Sequence, residues 1–133
     1  MVPKPYTLTA NTMQHMKHIE LDAKAHDEKV HHYSGVLLSD ILTEADVTMG
    51  EGSKKRTVTS YALISASDNY KTLFALTELD PLFSSRTIIL ADQIDGKPLP
   101  ASEGPFQVIV PGEKKYARWI RQVKEIKLVT VKE

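Results

Sequence analysis

The chain has no cysteine in its 133 residues. That excludes disulfides, thiolate metal ligands and a cysteine nucleophile, and it leaves the redox compartment open. Charge of either sign is not in excess, because seventeen Lys and Arg balance seventeen Asp and Glu. A general nucleic-acid binder carries a basic surplus to displace counterions, so no nucleic-acid partner is expected. No run of about eighteen apolar residues occurs, so no membrane-spanning helix is expected either. The first residues, Met1 to Pro5, lack the apolar core of a signal peptide. Neither a Gly-x-Gly-x-x-Gly nor a Gly-x-x-x-x-Gly-Lys-Ser/Thr phrase is present, which removes the common nucleotide phosphate cradles.

What is present fits one compact domain spanning residues 1–133, with 41% apolar and 26% charged residues, ordinary values for a globular chain. Pro3 and Pro5 favour an extended start. Thr9 and Asn11 are helix-cap candidates for a short segment carrying Leu8, Met13 and Met16. Ile19, Leu21, Ala23 and Ala25 alternate with His18, Glu20, Asp22 and Lys24, the period-two signature of a half-buried strand. Asp27-Glu28-Lys29 reads as a polar turn and Val30 to Tyr33 as the returning strand, broken by Ser34-Gly35. Val36, Leu37, Leu38, Ile41, Leu42 and Ala45 follow helical spacing. The stretch from Met49 to Arg56, with two glycines and three basic residues, predicts a mobile loop. Further strands are expected at 58–65, 70–75, 87–91, 106–110 and 123–131. A helical turn at 77–81 ends on Pro81, and a turn falls at Asp95-Gly96-Lys97-Pro98. The sum is a strand-rich α+β domain.

Five histidines, His15, His18, His26, His31 and His32, fall in the first quarter of the chain. No fixed metal-ligand spacing joins them, so they are expected as solvated strand and turn residues. Ser34, Ser67, His31 and Asp68 have the residue types of a hydrolytic triad. No serine sits in a Gly-x-Ser-x-Gly elbow, and Ser67-Asp68 reads as a turn. The C-terminal segment stands out more. From Glu113 to Glu133 seven Lys or Arg face three Glu in a neutral chain. Such a surplus suits an anionic small molecule, since Arg offers a planar fork and Lys a point charge. A solvated edge-strand face explains it equally well.

Several phrases, in order, resemble the oxidoreductase molybdopterin-binding domain of sulfite oxidase-like enzymes. They are Tyr33-Ser34-Gly35-Val36-Leu37-Leu38-Ser39-Asp40-Ile41-Leu42, Ala66-Ser67-Asp68-Asn69-Tyr70, and Ile89-Leu90-Ala91-Asp92 with Asp95-Gly96-Lys97-Pro98-Leu99. The stretch from Gly104 to Arg121, a strand, a Pro-Gly turn and a basic segment around the only tryptophan, completes them. The resemblance implies the sulfite oxidase-type fold, mixed strand-rich sheets with short helices, and a molybdopterin cofactor. It implies that Arg118, beside Trp119, meets the cofactor's phosphate, with Lys114, Lys115 and Arg121 assisting. It also implies a metal-ligating cysteine before Tyr33, and none exists. Glu103 and Gln107 stand where relatives carry histidine and arginine, and Asn69 stands for glycine. The expected function is therefore a ligand-binding or accessory domain for an anionic small molecule or pterin, without molybdenum redox catalysis. The alternatives are an oxidoreductase with a non-cysteine metal site, or a pocket-less module that binds a protein partner. The resemblance also carries a periplasmic expectation.

Overall fold

The computed structural model describes residues 5–131, so the expectation for Pro3 lies outside the described residues. Among the described residues nine strands form two antiparallel sheets, connected by loops and four short α-helices. Strand β1 (Pro5–Thr7) leads into helix α1 (Ala10–Gln14). Thr9 caps α1, its hydroxyl accepting from the Thr12 N–H at 3.2 Å, while Asn11 lies inside the helix instead of capping it. Strands β2 (Ile19–Lys24) and β3 (Val30–Leu37) form a hairpin, followed by helix α2 (Leu38–Glu44). Helix α3 (Lys54–Thr57) precedes strands β4 (Ser60–Ala66) and β5 (Lys71–Ala75) and helix α4 (Leu76–Leu79). Strands β6 (Ile89–Ile94), β7 (Lys97–Pro98), β8 (Gln107–Ile109) and β9 (Val123–Thr130) complete the chain. One sheet has the order β1-β9-β4-β5; the other has β2-β3-β6-β7, with β8 also on β6.

Two sequence expectations are corrected. Ser34-Gly35 does not end β3: the strand bulges there and runs on to Leu37. The reason is steric. A Cβ on Gly35 would sit 2.2 Å from the Leu90 carbonyl oxygen and 2.6 Å from the Ala91 Cα, so glycine alone lets β3 press onto β6. The 49–56 segment is not a bare loop but a 3-10 turn, Glu51–Ser53, running into α3. Two buried groups hold it. The Gly50 N–H donates to the buried Asp80 carboxylate at 3.1 Å, and the fully buried Thr57 donates its hydroxyl to Ser53 O at 2.9 Å.

The sheets meet where Phe106 to Val110 lies alongside Ile120 to Val123. Val108 N–H donates to Ile120 O and Val123 N–H to Phe106 O, each at 3.0 Å. That junction joins β8 of one sheet to the start of β9 in the other. Around it Val108, Ile109, Val110, Ile120 and Val123 are buried in a core shared with Ile64, Phe74, Ile89 and Leu90. Burying such side chains contributes about 1.5–3 kcal/mol each relative to exposure.

Candidate functional site

A cavity of about 350 Å³ opens beside the sheet junction. Several parts of the chain build it, Ile94 of β6 among them. The β2–β3 turn supplies His26 and Asp27, and β3 supplies His31 and Tyr33. The β7–β8 loop brings Leu99, Pro100 and Glu103, and β8 brings Gln107. From the β8–β9 connection come Tyr116, Trp119 and Arg121. A second hollow of about 330 Å³ shares His26, Tyr116, Trp119 and Arg121 and adds Asp68 and Tyr70 from the β4–β5 turn.

Aromatic rings dominate the walls, and each is held in place. Trp119 is 6% exposed and donates its indole N–H to Val110 O at 3.0 Å. Tyr33 and Tyr116 both meet it edge to face, at 6.0 and 5.0 Å between centroids. Tyr116 donates its hydroxyl to Lys24 O at 3.1 Å and lies 5.2 Å from the His26 ring at an angle of 31°. Burial pushes the Tyr33 phenol up to about 12, so it stays neutral. Tyr33, Tyr116 and Trp119 thus pack on one another and, with His26, make the cavity wall aromatic.

The residues expected to meet an anion do not converge there. Arg118 sits against Phe74, its guanidinium carbon 4.2 Å from the ring centroid. Nη1 donates to Glu78 Oε2 at 3.0 Å and Leu73 O at 3.2 Å. Nη2 donates to Glu78 Oε1 at 2.8 Å and to Glu113, and Nε donates to Glu113 Oε1 at 2.9 Å. All five donors of its fork are thus engaged. Arg118 holds the Glu78 carboxyl below the ordinary carboxylate range, and Glu78 in turn raises the guanidinium's own value. Glu78 also accepts from the Ala75 N–H at 2.9 Å. The pair therefore covers backbone groups on β5, an edge strand of its sheet. Lys114 and Lys115 are exposed and line neither hollow. Trp119 and Arg121 do line both, and Arg121 reaches them from the solvent side.

Carboxylates grip three of the histidines. His31 bonds Asp27 at 2.8 Å and Asp95 at 2.6 Å through its two ring nitrogens. His32 bonds Asp22 at 2.7 Å and also Glu20. His18 bonds Asp92 at 2.8 Å and Met16 O at 3.0 Å. Hydrogen bonds to Asp27 and then Asp95 raise the His31 value; those to Glu20 and Asp22 raise that of His32. Burial opposes charging of His18, but its bonds to Asp92 and Met16 together outweigh that and raise it too. Among the described residues no group of three or more His, Asp or Glu is arranged to hold a metal ion. Ser67 donates to Gln122 and not to a histidine, and Asp68 accepts from the Tyr70 N–H, as a turn residue does.

The clamps set a pH dependence. Raised imidazoles contribute stability that is fully present below their ordinary value of 6.5 and is lost as pH rises through the higher folded values. Asp27, bonded by His31, and Asp95, bonded by the His32 N–H and His31, are lowered; their contribution is present above 3.8 and lost as pH falls through the lower values. The clamp is therefore strongest between those two ordinary values. Urea midpoints are expected to fall between about pH 5.5 and pH 8.5, and the fall is expected to shrink in His31→Gln. A midpoint that stays constant over that range in the wild type overturns this assignment.

The sequence did not single out Tyr33, Tyr116 or His26 as site residues. The available signal was the spacing of Tyr116 and Trp119, three residues apart in a segment already flagged for its charge. A family model, the oxidoreductase molybdopterin binding domain, matches residues 1–133, the whole chain. A search of curated proteins finds no match.

Proposed function

We propose a function from one premise: this chain belongs to the oxidoreductase molybdopterin-binding domain family. It acts as a small ligand-binding domain that takes a pterin-type ring into the aromatic cavity, without molybdenum redox catalysis. The observation that carries this reading is the cavity walled by Tyr33, Tyr116, Trp119 and His26. Flat heterocycles stack on such faces whatever their substituents, at about 1–3 kcal/mol per ring.

The residues do not fit the complete metal-bearing, phosphate-tailed cofactor. No cysteine can ligate a metal. The one arginine placed to mimic the family's phosphate contact already has two carboxylates on its fork. Glu103 and Gln107 line the cavity at the positions where the family pattern carries cationic side chains.

Isothermal titration of the full chain with 6-hydroxymethylpterin tests the reading. Saturable one-to-one binding is expected, weakened about tenfold in Tyr116→Ala, which removes one stacking face. Tyr116→Phe keeps the ring and is expected to bind nearly as the wild type does. If the wild type takes up no pterin, the reading fails.

A further inference from the structure

Resting on that reading, we infer that Glu103 and Gln107 make this cavity select a flat nitrogen heterocycle that presents N–H donors and carries no phosphate. The inference starts from Gln107. It is 6% exposed, yet it lines the cavity. Its amide nitrogen donates to Trp119 O at 3.4 Å, its single described hydrogen bond. A carbonyl can only accept, so the Trp119 oxygen fixes which way the amide points. The amide oxygen has no partner among the described residues. It is not one of the buried atoms left without a partner, so it is open to the cavity and free to accept from a ligand N–H.

Glu103 supplies a second acceptor at the same cavity. Its place is set by backbone: its N–H donates to Pro100 O at 3.0 Å, and its carbonyl accepts from the Gln122 N–H at 2.8 Å. Gly104 next to it packs tightly, with Leu99 Cβ, Leu99 O and Pro100 O each 3.2 Å from where a Cβ would lie. These contacts hold the backbone of Glu103 beside the cavity. One neighbouring hydroxyl, that of Ser102, donates to it. A carboxylate with two oxygens retains acceptor capacity for a ring that offers adjacent N–H groups, as an amino-pyrimidinone edge does.

Charge points the same way. Glu103 lines the main cavity and Asp68 the adjoining hollow, and among the described lining residues the one cation without a carboxylate partner is Arg121, on the exposed side. His31 and Asp27 also line the main cavity but are paired with each other, and His31 with Asp95 as well, so neither is counted as free for a ligand. A phosphate, with a charge of about −1.5 to −2 near neutral pH, meets net repulsion in such a site.

The test compares 6-hydroxymethylpterin with its phosphate ester on the full chain by calorimetry. The free ring is expected to bind at least about tenfold more tightly. Glu103→Gln, nearly isosteric, is expected to weaken the free ring about tenfold and to narrow the gap to the ester. The inference is overturned, with the ring-binding reading intact, if the ester binds as tightly as the free ring. An unchanged affinity in Glu103→Gln overturns the role of Glu103. If neither compound binds, both the inference and the reading beneath it fall.

Discussion

Gly35→Ala is expected to destabilise the fold by at least about 4 kcal/mol, and most of the protein is expected to be insoluble or unfolded. The added methyl has nowhere to go. Its Cβ would lie 2.2 Å from the Leu90 oxygen, 2.6 Å from the Ala91 Cα and 2.7 Å from the Leu90 carbonyl carbon, all backbone atoms. No rotamer relieves a clash between a Cβ and a neighbouring strand, so β3 and β6 must separate. That registry pairs Tyr33 with Ile94, two residues lining the cavity. A domain of ordinary stability has only about 5–15 kcal/mol in reserve, so even partial accommodation should be visible as a collapsed urea midpoint. A midpoint within experimental scatter of the wild type means that the bulge at Ser34-Gly35 is not as close-packed as described.

The second large effect concerns Arg118. Arg118→Ala is expected to cost about 2–4 kcal/mol, lowering Tm by on the order of 10 °C. The Arg118 side chain is 24% exposed and joins three pieces of chain. These are the carbonyl of Leu73 on β5, Glu78 in α4 and Glu113 after the Pro111-Gly112 turn. Removing it leaves Glu113 without its cation and Glu78 with only the longer contact to Arg86 at 3.3 Å, and the Glu113 Oε2 is already buried without a partner. It also uncovers the Leu73 carbonyl at a sheet edge and removes the contact with Phe74. Arg118→Lys retains the charge but not the fork, and an intermediate loss is expected. Because Arg118 lines neither hollow, pterin affinity measured well below the lowered Tm should change less than about threefold. If instead stability holds and ligand affinity collapses, Arg118 is a ligand contact and not a clamp.

These two residues show what was legible in the chain and what was not. Local signals carried the strands. The alternation from Ile19 to Ala25 yields a β2 whose residues alternate in exposure, and Asp95-Gly96 forms its turn with both φ angles positive. Asn69, standing for glycine in the family phrase, adopts φ 72°, a left-handed conformation that asparagine tolerates better than most residues. Gly35 stands out in the sequence but reads there as a break, because whether a glycine ends a strand or permits close approach depends on its partner strand. Leu90 lies 55 residues away in sequence. The segment from Met49 to Arg56 failed for the same reason, since its order comes from Asp80 and from the buried Thr57.

The site was legible in part. Of the basic segment, Trp119 and Arg121 line the cavity, whereas Lys114 and Lys115 stand away from it. Arg118 could not be interpreted from its neighbours alone, because Glu78, forty residues upstream, decides its role. The cavity itself has no sequence signature: Tyr33, Gln107 and Tyr116 come together only when the two sheets meet at the β8–β9 junction.

The central claim is that this chain keeps the family's scaffold and a ring-binding cavity but does not hold molybdenum. Elemental analysis of the full-length protein, purified from a host competent to make the molybdenum cofactor, tests it most directly. Molybdenum far below one equivalent per chain is the expected result, with the protein folded and binding 6-hydroxymethylpterin. Equimolar molybdenum that co-purifies with the folded chain would contradict the account.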